Sequence, residues 1–401
     1  MTVEQQPEAS VAPSHAHRGS PSRLWTWAAC AIAGAAGFGL VYANTVVGQV
    51  DGAFTPIDNS QLISDAPEPT TSESPDPEDL NDGESLNILL MGSDARDGEN
   101  GKIGGKVADG MRNDTTIIMH ISADRSRVDL VSIPRDAQVE IPKCKYFDGS
   151  SIPATSGDFN ISFSNGGRHG NAAEAAACTI NTVQKMSGLT IDHWAVVDFS
   201  GFEDMIDAIG GVPMCIPERI VSKKAKVDLK AGPQVLNGKE ALGIARMRTA
   251  EVGDVSGSDL QRIARQHQLL RQTARVILSK NLLTDAGELT LFLKSAASAM
   301  TMDPDLASTK YLLGLAFSLR NIAPSSINFY TVPWKLTDDY LDVIILKSAG
   351  TMWKELKADK PLTKVGNDDA GDAWEEVIDK SPEPVPTDTD ATESILSECT
   401  A

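Results

Sequence analysis

Between residues 86 and 361 the chain alternates short, apolar, β-branched runs with longer amphipathic ones, and this alternation narrows the fold more than any other feature. LNILLM (86–91), TTIIMHI (115–121), RVDLVSI (127–133), HWAVVD (193–198) and the run 327–332 have the length and character of strands. The stretches 172–187, 202–209, 258–279, 305–319 and 341–356 read as helices. In 258–279, Leu260, Ile263, Leu270, Ala274, Ile277 and Leu278 recur at helical spacing. Strands alternating with helices predict an α/β fold, with a mixed central sheet covered by helices on both faces.

An uncharged apolar run at 24–43 precedes this region. About 20 such residues span a bilayer as a helix, and Trp25, Trp27 and Tyr42 stand near the ends, where amphipathic rings prefer the interface. Arg18 and Arg23 come before the run and Asp51 and Asp58 after it. The positive-inside rule then places the N-terminus in the cytoplasm and the bulk of the chain outside. Without a clear small-x-small cleavage site, a retained anchor is the preferred reading over a cleaved signal peptide. The expected organisation is a cytoplasmic disordered tail (1–23), a single-pass transmembrane anchor (24–46) and an acidic extracytoplasmic spacer rich in Pro, Ser and Thr (47–85). A folded domain (86–361) and an acidic disordered tail (362–401) follow.

Four of the five cysteines lie beyond the apolar run, in a compartment that permits disulfides. Cys144 and Cys178 flank a segment, 145–171, rich in Gly and Ser and poor in core residues, so they are expected to pair. A loop of that length gains about 3–4 kcal/mol from the cross-link. Cys215 and Cys399 form the second expected pair, which would tie back the acidic tail.

A net charge of −19 argues against nucleic acid as a partner. It leaves room for a phosphate ligand held by a local arginine cluster. No GxSxG or HExxH is present, and GENGKIGGK lacks the Walker spacing. Asp94 follows the first strand and Asp114 precedes the second. Side by side, the two carboxylates could hold Mg²⁺ together with phosphate oxygens; Asp is also an ordinary turn and cap residue. Arg135 emerges after a strand and a proline in SIPRD. Arg246 and Arg248 alternate, and Arg262, Arg265 and Gln266 share one helix face with Asp259. Such charges can be a solvated face or, gathered at strand ends, a pyrophosphate clamp, since guanidinium binds phosphate bidentately.

NILLMGSDAR, RNDTTIIMHIS, VDLVSIPRDAQV, DHWAVVDFSGFEDMIDAIGGV, LNGKEALGIARMR and SDLQRIARQ occur in that order. Together they resemble the LytR-CpsA-Psr family of cell-wall glycopolymer ligases, from about residue 86 to 270 and more loosely to 361. The resemblance implies a transferase of cell wall biogenesis. It would move a glycan-phosphate from a polyprenyl-pyrophosphate carrier to an acceptor hydroxyl on peptidoglycan or a surface protein, with polyprenyl phosphate leaving. By motif position, Asp94 and Asp114 would hold Mg²⁺ and Arg135, Arg246, Arg248 and Arg262 would act on the phosphates. Arg112, Arg265, Gln266 and Asn160 would bind substrate. An apolar slot for the lipid is expected between sheet and helices, near 202–209 and 260–278. The stretch DFNISFSNGG (158–167) keeps Asn160 and the glycines of a family motif but not its lysine and alanines. A lipid pyrophosphate phosphohydrolase and a non-catalytic wall-glycan or lipid-binding module are the alternatives.

Overall fold

The computed structural model describes residues 55–67, 79–94, 111–253, 255, 259–279, 292, 300–337 and 343–363. The apolar run 24–43, the N-terminal tail, the C-terminal tail beyond Thr363 and about half of the spacer lie outside these residues, and among the described residues no helix is long and apolar enough to cross a membrane.

Seven strands form the central sheet: β1 (Thr55–Pro56), β2 (Leu86–Ser93), β3 (Asn113–Ile121), β4 (Val128–Ile133), β5 (His193–Val197), β6 (Met300–Met302) and β7 (Ile327–Thr331). Their spatial order is β1-β6-β5-β2-β3-β4-β7. The sheet is mixed: β2 and β4 run antiparallel to β3, and β6 to β5, whereas β2–β5, β4–β7 and β1–β6 are parallel. The helices are α1 (Asn160–Gly166), α2 (Ala172–Ser187), α3 (Phe199–Ala208), α4 (Gly238–Arg246), α5 (Asp259–Ser279), α6 (Thr309–Ser318) and α7 (Ala349–Lys357).

Successive strand residues point to opposite faces, and here both faces are buried. Leu89, Met91, Ile118, Val131 and Ile133 pack against Ile180 and Val183 of α2 and Met352, Trp353 and Leu356 of α7. Leu86, Ile88, Ile117, Ile121, Val128 and Leu130 pack against Tyr311 and Leu315 of α6. Burial on both sides explains why the strands read as nearly unbroken apolar runs. A second core lies under α3 and α4 and joins Ile206, Met214, Leu236 and Ile244 to Leu269 and Val276 of α5. Ile206 and Ile209, near which the lipid slot was expected, are ordinary members of this core. Leu270 of α5 packs instead against the core under α6, so one helix serves both.

Local signals fix the helix ends. Asn171 caps α2 by accepting from the amides of Ala173 and Glu174, and the helix closes on Gly188 at φ +69°. Asn237 and Glu240 form a capping box at the start of α4. Gly166 lets α1 lie against α2: a Cβ there would stand 2.4 Å from the Glu174 carbonyl oxygen. Cys144 and Cys178 form the expected disulfide. Cys215 is disulfide-bonded too, and Cys399, its expected partner, lies outside the described residues.

Three parts of the fold differ from the expectation. Residues 55–64, counted with the spacer, belong to the domain. Thr55–Pro56 adds a strand to the sheet edge, and Asn59 donates to the Ala173 carbonyl at 2.9 Å. Asn181 holds the Leu62 carbonyl at 2.9 Å and accepts from the Ser64 amide at 2.8 Å. The stretch 341–356 is not one helix. Val343–Ile345 pairs antiparallel with Trp334–Leu336 before α7 begins. Small hairpins, Gln138–Ile141 with Thr155–Asp158 and Ile220–Ser222 with Val227–Leu229, went unread because strands this short pair only locally.

Candidate functional site

The site is built on the end of the sheet where β2 stops and β3 begins. A register shift at Gly92/Ser93 ends the β2–β3 ladder, and Asp94 then clasps Arg112. The Asp94 amide donates to the Arg112 carbonyl at 2.9 Å, and its Oδ1 accepts from the Arg112 amide at 2.8 Å. Asp114 follows at the start of β3. The next strand, β4, ends at Ile133, and Pro134 turns the chain so that Arg135 faces the same edge. The C-terminus of α4 delivers Arg246, and extended backbone at Met247 carries the chain to Arg248.

These groups line one cavity of about 620 Å³. Of the residues singled out from sequence, Asp94, Arg112, Asp114, Arg135, Asn160, Arg246 and Arg248 line it. Asp136, Asp158, Ser164, Phe199, Ser222, Lys224 and Thr249 line it as well and were not singled out. Asp136 adjoins Arg135 in SIPRD and could have been found there; Lys224 and Ser222 sit on a hairpin with no sequence signal of its own.

The electrostatics centre on Asp114. Its Oδ1 accepts from Arg135 Nη1 at 2.5 Å and from Arg248 Nη2 at 3.3 Å. Burial alone would raise its pKa, but the guanidinium groups of Arg135, Arg262 and Arg248 outweigh burial and hold it below the usual carboxylate range. Burial pulls Arg135 down, while Asp114 and Asp136, whose Oδ1 lies 3.0 Å from Nε, hold it above its ordinary value. The Arg246 guanidinium carbon lies over the Phe199 ring, 3.8 Å from its centre, a cation–π contact that holds it at the cavity. Five cationic side chains and four carboxylates line the cavity, a balance that suits an anion.

Arg262, Arg265 and Gln266 do not line the cavity. All three are buried on α5 behind it. Burial lowers the Arg262 pKa to about 10, Asp114 opposes the shift, and Arg135 and Arg248 add to it. Arg265 Nη2 donates to the Met247 carbonyl at 2.5 Å. Gln266 Nε2 donates to Thr115 Oγ1 at 2.9 Å and to the Ala245 carbonyl at 3.0 Å. The side chain of Asp259 lies outside the described residues.

Among the described residues no group of three or more His, Cys, Asp or Glu is arranged to hold a metal. Asp94 and Asp114 are a pair of hard oxygen donors, Asp114 held ionised. That donor set fits Mg²⁺, which typically binds through one or two carboxylates and completes its shell with water and phosphate oxygens.

The LytR_cpsA_psr family model matches residues 57–358. A Corynebacterium glutamicum protein named cell wall biosynthesis protein LcpA is 27% identical over 271 residues, 62% of this chain and 50% of that one. A Bacillus subtilis protein named polyisoprenyl-teichoic acid–peptidoglycan teichoic acid transferase TagT is 28% identical over 193 residues, 46% of this chain and 51% of that one. The chain thus spans about half the length of the curated relatives it matches. A solved structure of a Streptococcus agalactiae protein superposes with a TM-score of 0.53 at 20% identity, over 70% of this chain and 90% of that one, which shows a shared fold.

Proposed function

The chain belongs to the LytR_cpsA_psr family, and from that premise we propose that it is a membrane-anchored, extracytoplasmic transferase. It passes a glycan-phosphate from a polyprenyl-pyrophosphate carrier to an acceptor hydroxyl on peptidoglycan or a surface protein. The observation that carries this reading is the convergence of Arg135, Arg246 and Arg248 with Asp94 and Asp114 in one cavity. The name of the Bacillus subtilis relative, a transferase acting between polyisoprenyl-linked polymer and peptidoglycan, supports the reaction class.

Phosphoryl transfer depends on positioning and on neutralising the charge spread over phosphate oxygens. Arg246, held over the Phe199 ring, and Arg248 flank one side of the pyrophosphate, and Arg135 meets it from the end of β4. Asp114, tied to Arg135 and Arg248, keeps both guanidinium planes in place. Asn160 and Arg112, which line the same cavity, would bind the rest of the substrate. Asp94 and Asp114 would hold Mg²⁺, which supplies positive charge to non-bridging phosphate oxygens when bound. In the reaction the acceptor oxygen bonds to the sugar-proximal phosphorus. The bond from that phosphorus to the bridging oxygen breaks, polyprenyl phosphate departs with the bridging oxygen, and the acceptor proton is lost to water.

The test is turnover of farnesyl pyrophosphate by the detergent-solubilised full chain with Mg²⁺, with and without a peptidoglycan acceptor. Release of farnesyl phosphate that rises with acceptor, together with transfer of label to the acceptor from a lipid-linked sugar, is the expected result. Release indifferent to acceptor identifies a phosphohydrolase, and tight binding without release identifies a binding module. Anchoring is tested separately: an extracytoplasmic-only reporter fused after Arg23 is expected to stay inactive, and its activity would reverse the orientation.

A further inference from the structure

Arg265 is a fully buried side chain at 0% exposure. It makes one hydrogen bond, to the Met247 carbonyl, and its Nε and Nη1 have no hydrogen-bond partner among the described residues. Burial alone shifts its pKa, down to about 10. A desolvated cation with no counter-ion among the described residues is an expensive way to fill space. Even buried ion pairs can often be replaced by apolar side chains of similar volume without loss, and an uncompensated buried charge is costlier still. Stability therefore gives no reason for an arginine here.

The location of its acceptor does. Met247 separates Arg246 from Arg248, at the point where α4 ends and the last helical carbonyls lose their intrahelical partners. The next residue of α5, Gln266, holds the Ala245 carbonyl and also Thr115, the neighbour of Asp114. Consecutive residues of one helix thus hold the carbonyls on either side of Arg246. The Met247 side chain, itself fully buried, pins the same stretch from the second core.

We propose that Arg265 is a positioning residue: by gripping the Met247 carbonyl it sets where Arg246 and Arg248 stand across the cavity. Its effect on turnover rests on the transferase reading; its effect on the backbone does not. A single donor does this work, so lysine should serve, unlike at Arg246 and Arg248, where a planar fork meets phosphate.

The experiment compares Arg265→Met, Arg265→Lys and Arg246→Lys in the full chain. Thermal melts, farnesyl pyrophosphate turnover with Mg²⁺ and hydrogen exchange at the amides of residues 246–249 are read for each. Arg265→Met should melt within a few degrees of wild type, exchange those amides about tenfold faster, and lose about 100-fold in kcat/KM, the scale of a 1 Å misplacement. Arg265→Lys should recover most of both losses, whereas Arg246→Lys should not recover turnover. Wild-type exchange at 246–249 in a folded Arg265→Met protein overturns the proposal whatever the substrate. A lowered melting point with unchanged turnover per folded molecule also overturns it. If Arg265→Met does not fold, Arg265→Gln, too short to reach Met247, takes its place; failure of both to fold shows a structural role and ends the proposal. If wild type does not turn over farnesyl pyrophosphate, the functional reading fails instead, and the exchange result still decides the positioning role.

Discussion

Arg135 reaches from the end of β4 to Asp114 at the start of β3, Nη1 to Oδ1 at 2.5 Å, and joins two neighbouring strands across the floor of the cavity. The same guanidinium has Asp136 beside Nε at 3.0 Å. A planar fork can hold both carboxylates and still present an edge to phosphate; an ammonium cannot. Arg135→Lys is therefore expected to lower farnesyl pyrophosphate turnover about 100-fold, nearly as much as Arg135→Ala. A melting point close to wild type in both variants separates this from loss of fold.

Magnesium is the second expectation. Chelation with EDTA should abolish turnover and added Mg²⁺ should restore it. Asp94→Asn keeps an acceptor for the Arg112 amide but removes the charge. It should raise the Mg²⁺ concentration for half-maximal rate about tenfold while leaving the melting point unchanged. An unchanged Mg²⁺ requirement would remove Asp94 from the metal site.

How much of this was legible beforehand follows residue chemistry. The five short apolar runs became strands because both faces of the sheet are buried, so apolar residues dominate them and the few polar ones inside, such as His120, Asp129 and His193, are themselves buried. Asp94, Asp114, Arg135, Arg246 and Arg248 were found because charge at the end of an apolar strand or helix stands out. Residues 55–64 were missed because Ile57, Leu62 and Ile63, which pack on the domain, are too few to show a period, and the rest of the attachment is polar, through Asn59 and through Asn181 of α2. Val343–Ile345 was read as helix because a three-residue strand is shorter than either period can resolve. Arg262, Arg265 and Gln266 were expected at the substrate by motif position, and the spacing that puts them on one helix face does not tell whether that face meets ligand or backbone.

Loss of the Cys144–Cys178 bridge in Cys144→Ser should cost about 3–4 kcal/mol. The urea midpoint of Cys144→Ser against wild type measures it, since reductant would also open the Cys215 disulfide. The bridge encloses the segment that carries Asn160 and Ser164 to the cavity, so turnover should fall as well.

His267 sets an acid limb. It is buried beside Ser132, whose Oγ lies 2.7 Å from Nε2, and near the Phe329 ring. Burial, with Arg271 adding to it, pushes its pKa down to about 3. The unfolded chain binds this proton near pH 6.5 and the folded one does not. Its contribution is thus complete above about pH 6.5 and is lost as pH falls toward 3, by up to about 1.4 kcal/mol per pH unit. His193 is shifted the other way: burial lowers its pKa, but Asp303 outweighs burial, and its contribution is lost as pH rises. Melting points from pH 7 to pH 4 should fall less steeply in His267→Gln than in wild type, and equal slopes would exclude His267 as the source.

The sharing of α5 between two cores has a consequence for what the protein can accept. Leu270 is anchored under the sheet, Leu269 and Val276 under the α3–α4 layer, and Gln266 ties both walls of the cavity to the same rigid rod. The walls cannot swing apart without breaking one core or the other. The cavity behaves as a mould of fixed gauge rather than a jaw; on the transferase proposal, that gauge suits the part that every carrier-linked glycan has in common. Tolerance for different sugars then has to reside beyond the rim, where the polymer leaves the mould.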